Sequence, residues 1–402
     1  MKTKSLRWIY LAAGVIMMLF AGIIYAWSIL KSPLATEFHW DSAALSLNFT
    51  LTMCFFCLGG ILGGILTKRL SPRLTLLIGA VLVFAGFFIS SFQTGNIAVL
   101  YLSYGVISGL GIGVAYNVVI TSISSWFPDK RGTASGALLL GFGASTLILG
   151  SFAGSLIDTA GWRTTYRALG IAILVILVAG SFFVKIAGAD VIDAINQNST
   201  RKTTTESETN AQEYTPAGML RRASFWKFYI LIILLSSIGT CVISFAKDVS
   251  QKAGTAESLA ILLVGVLSVF NGLGRIITGW LYDTIGRRKT MLTANVVALI
   301  APVLMLLSVT CKSLPLDIAG LIAVGLAYGA MPTISAAYTS GFYGKKNFSL
   351  NFSLANTTLI FASFSSTIGG ILTGSGSYIS IFLLLIAFAV VGLFVNLTIK
   401  KA

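Results

Sequence analysis

The chain has 402 residues, of which 56% are hydrophobic and only 10% charged, with a formal net charge of +15 and one histidine. A soluble protein carries about a quarter charged residues, and one aqueous core cannot hold this much apolar surface, so lipid is the solvent for most of the chain. The basic residues lie between apolar runs, which points to an anionic membrane leaflet as partner and away from nucleic acid.

The N-terminal MKTKSLRW precedes an apolar run over 8–30. A secretory signal has a shorter apolar region, whereas about 20 residues cross the hydrocarbon layer, so this run is read as the first membrane helix. Further runs of spanning length fall near 45–67, 73–93, 97–122, 132–157, 163–185, 225–247, 257–282, 289–310, 316–340, 349–373 and 376–399. Helices satisfy the backbone of an open chain in lipid, so the expected fold is an all-α membrane protein of twelve transmembrane helices. Cys54 and Cys57 form a C-x-x-C inside a span with no histidine nearby, and Cys241 and Cys311 are isolated. All four are read as packing residues, with no disulfide framework and no metal site.

Between the sixth and seventh runs, NQNSTRKTTTESETNAQEYTP is polar and nearly free of large apolar residues, a composition that cannot support a core. The expected organisation is a six-helix bundle over 1–185, a loose cytoplasmic linker over 186–224 with a short surface helix near 219–222, and a second six-helix bundle over 225–402. With the N-terminus inside, 21 of the 28 basic residues fall in inside segments and six, including Lys31 and Lys247, in outside ones; the remaining one is Arg275. The bias places both termini in the cytoplasm of a multi-pass cell-membrane protein. The halves match at an offset of 215, with Gly64 against Gly279, Arg73 against Arg288, and Lys130 and Arg131 against Lys345 and Lys346. Parallel repeats of this kind place a substrate site between the halves near the midplane.

Arg275 is the anomaly. Eight residues before Asp283, it lies about 12 Å up the helix, near the middle of the hydrocarbon layer. An arginine there costs about 2.5–3.5 kcal/mol on insertion scales and faces a polar cavity. Either it is a structural residue held by carbonyls or asparagines, or it is a fixed cation awaiting an anion, for which guanidinium offers a planar fork. Asn271 lies one turn earlier on the same face, and Gly272 and Gly274 keep that helix thin. With one cation in the spans, a singly charged ligand fits better than phosphate. No aspartate or glutamate sits mid-span, so coupling is read as anion exchange or as a proton travelling with the substrate. No catalytic constellation, metal site or cofactor site is found in the spans.

GWLYDTIGRR, from Gly279 to Arg288, resembles the loop motif of the major facilitator superfamily. Asp283, Arg287 and Arg288 would then form a conformational latch at the cytoplasmic seam. The first copy, GILTKRLSPR, departs from the pattern, with Lys68 for the aspartate and Ser71 for the glycine. A narrower resemblance comes from WFPDKRGTASG at 126–136, YAW at 25–27, NGLGR at 271–275, YGAMP at 328–332 and FYGKKN at 342–347. These segments, spread over both halves, are similar to those of the oxalate/formate antiporter family, which carries small carboxylates. The resemblance implies that Arg275 binds the substrate carboxylate and that Tyr25, Tyr116, Tyr328 and Phe352 line the pocket. It also sets Ala355 where the oxalate carrier has a second cation, a lysine; Asn351 and Asn356 nearby are neutral. The expectation is a monomeric secondary transporter of small monocarboxylates of formate, lactate or pyruvate type, by antiport or proton symport. The competing readings are drug efflux, against which the proline-containing motif missing from SGALLLGFGAST counts, and a solute sensor that does not transport.

Overall fold

The computed structural model describes residues 2–127, 131–188, 213–344, 347–373 and 378–399. Among them there is no strand, and ten helices are long and apolar enough to cross a membrane. One of the ten, Gly136–Gly180, bends at Gly161, while residues 348–372 are divided into two helices too short to be counted. Taking the first as two spans and the second as one gives the twelve read from the sequence.

The first span is α1 (Lys2–Ala21), a 3-10 stretch (Gly22–Ala26) and α2 (Trp27–Phe38). The break falls where Gly22 packs directly on the Phe142 carbonyl, an approach that a side chain would prevent. Spans two and three are α3 (Ser42–Arg69) and α4 (Pro72–Ser90). The fourth runs through α5 (Ile97–Leu100), a π-helical stretch (Tyr101–Ser108) and α6 (Gly109–Ser124). Then come α7 (Arg131–Ser145) and, after a π-helical Thr146–Gly150, α8 (Ser151–Gly180). A short α9 (Pro216–Leu220) leads to α10 (Ala223–Lys252), the seventh span. Spans eight and nine are the two arms of α11 (Glu257–Cys311), and the tenth is α12 (Leu314–Tyr343). The eleventh is α13 (Phe348–Asn356) with α14 (Thr358–Leu372), and the twelfth is α15 (Ile379–Thr398).

The two loop motifs turn by different chemistry. Gly286 adopts φ 77°, a left-handed conformation that glycine alone takes without strain, and this bend separates spans eight and nine. Its counterpart, Ser71, has φ −74°; its side chain accepts a hydrogen bond from Leu74 N at 3.2 Å and Pro72 follows at the first helical position. Serine cap and proline start the helix by themselves, so the first copy dispenses with the motif's glycine.

Packing groups the chain into two compact units. One comprises Met1–Ile24, Leu51–Ser145 and Ser155–Glu206; the other comprises Tyr25–Thr50, Thr146–Gly154 and Ser207–Ala402. These units differ from the two sequence halves, which remain our proposal for the moving bodies. In the larger unit, Thr50 Oγ1 donates to Ser363 O at 2.7 Å and Thr373 Oγ1 to Ser42 Oγ at 3.2 Å. Such bonds tie segments early in the sequence to α14.

The end of the linker is docked. Tyr214 N donates to Tyr343 O at 3.1 Å, its carbonyl accepts from Asn347 and Asn351, and Met219 of α9 is fully buried. The short helix expected near 219–222 lies at Pro216–Leu220, with Met219 buried and Ala217 and Leu220 exposed.

Candidate functional site

Arg275 lies in the first arm of α11 and is 5% exposed, with Nε and Nη1 buried and without hydrogen-bond partners. Its own carbonyl accepts from Thr333 Oγ1 of α12 at 3.3 Å. One turn earlier, Asn271 is 0% exposed, and neither amide atom has a partner. Two adjacent polar groups on one helix face thus keep unused hydrogen-bonding capacity where leaving it unused costs about 1–3 kcal/mol per group. A structural arginine held by carbonyls would have those nitrogens engaged.

Small residues bring α12 against this face. Gly329 packs on the Asn271 carbonyl, and a Cβ added at Gly274 would stand 2.6 Å from Leu326 O. Pro332 sits inside α12 and brings no backbone N–H to that turn. Tyr328 and Tyr25 meet edge to face, ring centroids 6.1 Å apart at 85°. The Tyr328 ring rests on Gly239 of α10.

The remaining expected residues are placed less uniformly. Tyr116 is half-buried in the smaller unit, between Phe56 and Phe142 with centroids 5.1 Å from each. Phe352 and Asn356 are half-buried on α13, with Asn356 at the division of the eleventh span. Asn351 is buried, but its Nδ2 donates to Tyr214 O at 3.2 Å, so this donor is committed to the linker. Ala355 is buried. Of the latch residues, Arg287 stacks over Phe342 at 4.6 Å and Tyr338 at 5.9 Å, while Arg288 is exposed. The side chains of Asp283 and Lys68 lie outside the described residues.

The sequence reading missed a cluster at the opposite end of the spans. Lys31 and Lys247, expected in outer loops, are 4% and 3% exposed inside α2 and α10. Lys31 pairs with Asp248 at 2.7 Å and lies over the Phe245 ring at 4.3 Å. Lys247 pairs with Glu257 at 2.5 Å and donates to Ser32 Oγ at 3.0 Å. Arg275 is therefore not the sole buried cation, as the sequence suggested. It differs from these two lysines in lacking a carboxylate partner among the described residues. The only signal for the cluster was the polar continuation of each run, which a hydropathy boundary discards.

The family model described as Major Facilitator Superfamily matches residues 9–246 and 229–401. The oxalate:formate antiporter of Oxalobacter formigenes is 25% identical over 363 residues, 88% of this chain and 83% of that protein. An uncharacterised MFS-type transporter of Escherichia coli, YhjX, is 24% identical over 86% of this chain and 83% of its own length. Mouse monocarboxylate transporter 12 is 25% identical over 62% of this chain and 54% of its own. Among solved structures, a D-xylose-proton symporter superposes with a TM-score of 0.75 at 17% identity, covering 98% of this chain and 97% of that one; at that identity the likeness concerns the fold.

Proposed function

The chain belongs to the major facilitator superfamily and is a multi-pass membrane transporter, and we propose that its cargo is a small monocarboxylate of formate, lactate or pyruvate type, bound through Arg275. The observation that carries this reading is the pair of buried, unpartnered nitrogens on that guanidinium. A carboxylate supplies both the acceptors and the charge that they lack. Two relatives named for carboxylate cargo support the class.

In this reading the carboxylate sits on Arg275, Asn271 contributes a second polar contact, and Tyr25 and Tyr328 form the aromatic wall. Phe352 and Asn356 complete the cage from α13. Binding neutralises Arg275 and lowers the cost of enclosing it, which favours the closed states of an alternating-access cycle. Asp283, Arg287 and Arg288 act as the latch, with Arg287 held on the aromatic end of α12. The protein works as a monomer in the cell membrane, both termini cytoplasmic, its basic loops facing the anionic leaflet. Ala355 offers no second cation, so oxalate binds weakly.

The test is a thermal-shift screen of the purified protein with formate, acetate, lactate, pyruvate, oxalate and citrate, repeated on Arg275→Gln. A ligand at 100 times its Kd stabilises by about 2.7 kcal/mol. Stabilisation by a monocarboxylate, lost in Arg275→Gln, is expected. Equal stabilisation of the variant, or preference for oxalate, refutes the assignment.

A further inference from the structure

Lys31 and Ser32 of α2 meet Asp248 and Lys247 of α10 in two crossed contacts. Lys31 pairs with Asp248 at 2.7 Å, and Lys247 donates to Ser32 Oγ at 3.0 Å while pairing with Glu257 at the start of α11. The lysine side chains are 5% and 4% exposed, their carboxylate partners 29% and 60%. The cluster therefore lies at the edge of water. Ions placed there regain hydration when they part, so such pairs hold a contact that can still open.

Ser32 and Lys247 are 215 residues apart, the offset at which the two loop motifs match. Equivalent positions of two repeats that touch do so on the axis relating the repeats, and parallel repeats carry their cargo site between them. By that geometry the contact crosses the cargo route at the end of the spans opposite the latch motif.

The stretch that carries Lys31 and Ser32 is packed apart from the start of its own span. Span one passes from the smaller compact unit to the larger after Ile24, and span five after Ser145. Both passages fall where the helix is irregular, in the 3-10 stretch Gly22–Ala26 and the π-helical stretch Thr146–Gly150. Interruptions of this kind inside a helix mark hinges. Span two passes after Thr50 in regular helix. Beyond these points the segments are tied to the second repeat: Gly265 of α11 packs on Leu147, Gly370 of α14 packs on Ala43, and Thr50 is bonded to Ser363.

We propose that Lys31, Ser32, Lys247, Asp248 and Glu257 form the gate at this end of the route, shut in this structure, and that it opens by bending of spans one and five at Gly22–Ala26 and Thr146–Gly150. Opening parts Lys31 from Asp248 and Ser32 from Lys247, with no covalent bond made or broken. Tyr25, the first residue past the passage in span one, moves with the gate, so its contact with Tyr328 is the link to the cage. The inference rests on the chain's being a transporter built of two repeats and not on the identity of its cargo.

Maleimide labelling of the full chain in nanodiscs tests it without any cargo. Ser32→Cys puts a thiol at the contact, and the native cysteines calibrate it: Cys311 is exposed at the same end of the spans, and Cys54 and Cys57 are half-buried within α3. A water-soluble maleimide, read by peptide mass spectrometry, should label position 32 slowly relative to Cys311. Lys247→Ala with Glu257→Gln removes the axial contact and strands no charge; Asp248→Asn breaks the other pair. Each should raise the ratio about tenfold, the change that about 1.4 kcal/mol makes in an equilibrium. Lys252→Gln with Lys312→Gln, two exposed charges at the same end, should leave it unchanged. Cys54 and Cys57 staying unlabelled marks an intact fold, and either gate variant that meets this condition suffices. In it, amide exchange should quicken over 22–26 and 146–150. A ratio that stays at its starting value overturns the proposal, and so does raised labelling without faster exchange at the two stretches. Neither outcome bears on Arg275, and a failed carboxylate screen leaves the labelling interpretable.

Discussion

Lys31 of α2 and Asp248 of α10 form a 2.7 Å ion pair in which the lysine side chain is 5% exposed and the aspartate 29%. The burial is asymmetric, so the two partners should respond differently to removal. Asp248→Asn strands a desolvated ammonium, with the Phe245 ring as its remaining favourable neighbour. A loss of about 1–3 kcal/mol is expected. Replacing both residues, as Lys31→Met with Asp248→Leu, removes the unpaired charge and should restore most of it. Thermal unfolding in detergent checks both; a single variant that melts with the wild type would show that the pair contributes nothing.

Gly286 and Ser71 occupy equivalent places in the two loop copies but carry different backbone demands. Gly286→Ala forces a side chain into a left-handed conformation at φ 77°, at a cost of about 1–2 kcal/mol. Ser71→Gly gives up a cap at a cost of only a few tenths of a kcal/mol. The first variant should melt clearly lower and the second almost unchanged. A reversed order would mean that the bend between spans eight and nine is not held by this torsion.

These two cases also mark what the sequence could and could not convey. Long apolar runs, a charge in the middle of one of them and a motif glycine are local signals, and the helices, Arg275 and the Gly286 bend follow from them. Lys31 and Lys247 do not, because a hydropathy boundary stops at the first charge while the helix continues past it, to Phe38 and Lys252. The meeting of Tyr25 with Tyr328 was implied only by family resemblance, since it depends on tertiary packing 303 residues apart in sequence. The commitment of Asn351 to Tyr214 was equally hidden, because the linker's polar composition gives no hint of where its end docks.

Asn347 and Asn351 both donate to the Tyr214 carbonyl, at 3.1 and 3.2 Å. Each bond contributes about 1 kcal/mol, so Asn347→Ala with Asn351→Ala should loosen the docked end of the linker by about 2 kcal/mol. Amide hydrogen exchange over residues 214–222 should then accelerate by about 10–30-fold, with the spans unaffected. Unchanged exchange there would indicate that Met219 burial and the Tyr214–Tyr343 bond are sufficient anchors.

Asn271 separates a structural from a ligand-binding explanation of the face it shares with Arg275. Its amide is fully buried and unpartnered. If it serves the fold alone, Asn271→Leu should be neutral or destabilising and should leave ligand responses intact. If it is kept for a ligand, the same change removes an unsatisfied polar group from the protein without cargo, and stability should rise by about 1–3 kcal/mol. Carboxylate-dependent stabilisation should fall at the same time, because the hydrogen bond that the cargo would make is gone. Arg275→Lys supplies the companion measurement: charge is retained but the planar fork is lost, so binding should weaken while Arg275→Gln abolishes it. Thermal shifts with and without monocarboxylate read all three variants. A more stable Asn271→Leu that keeps its full ligand response would remove Asn271 from the site while leaving the Arg275 assignment standing.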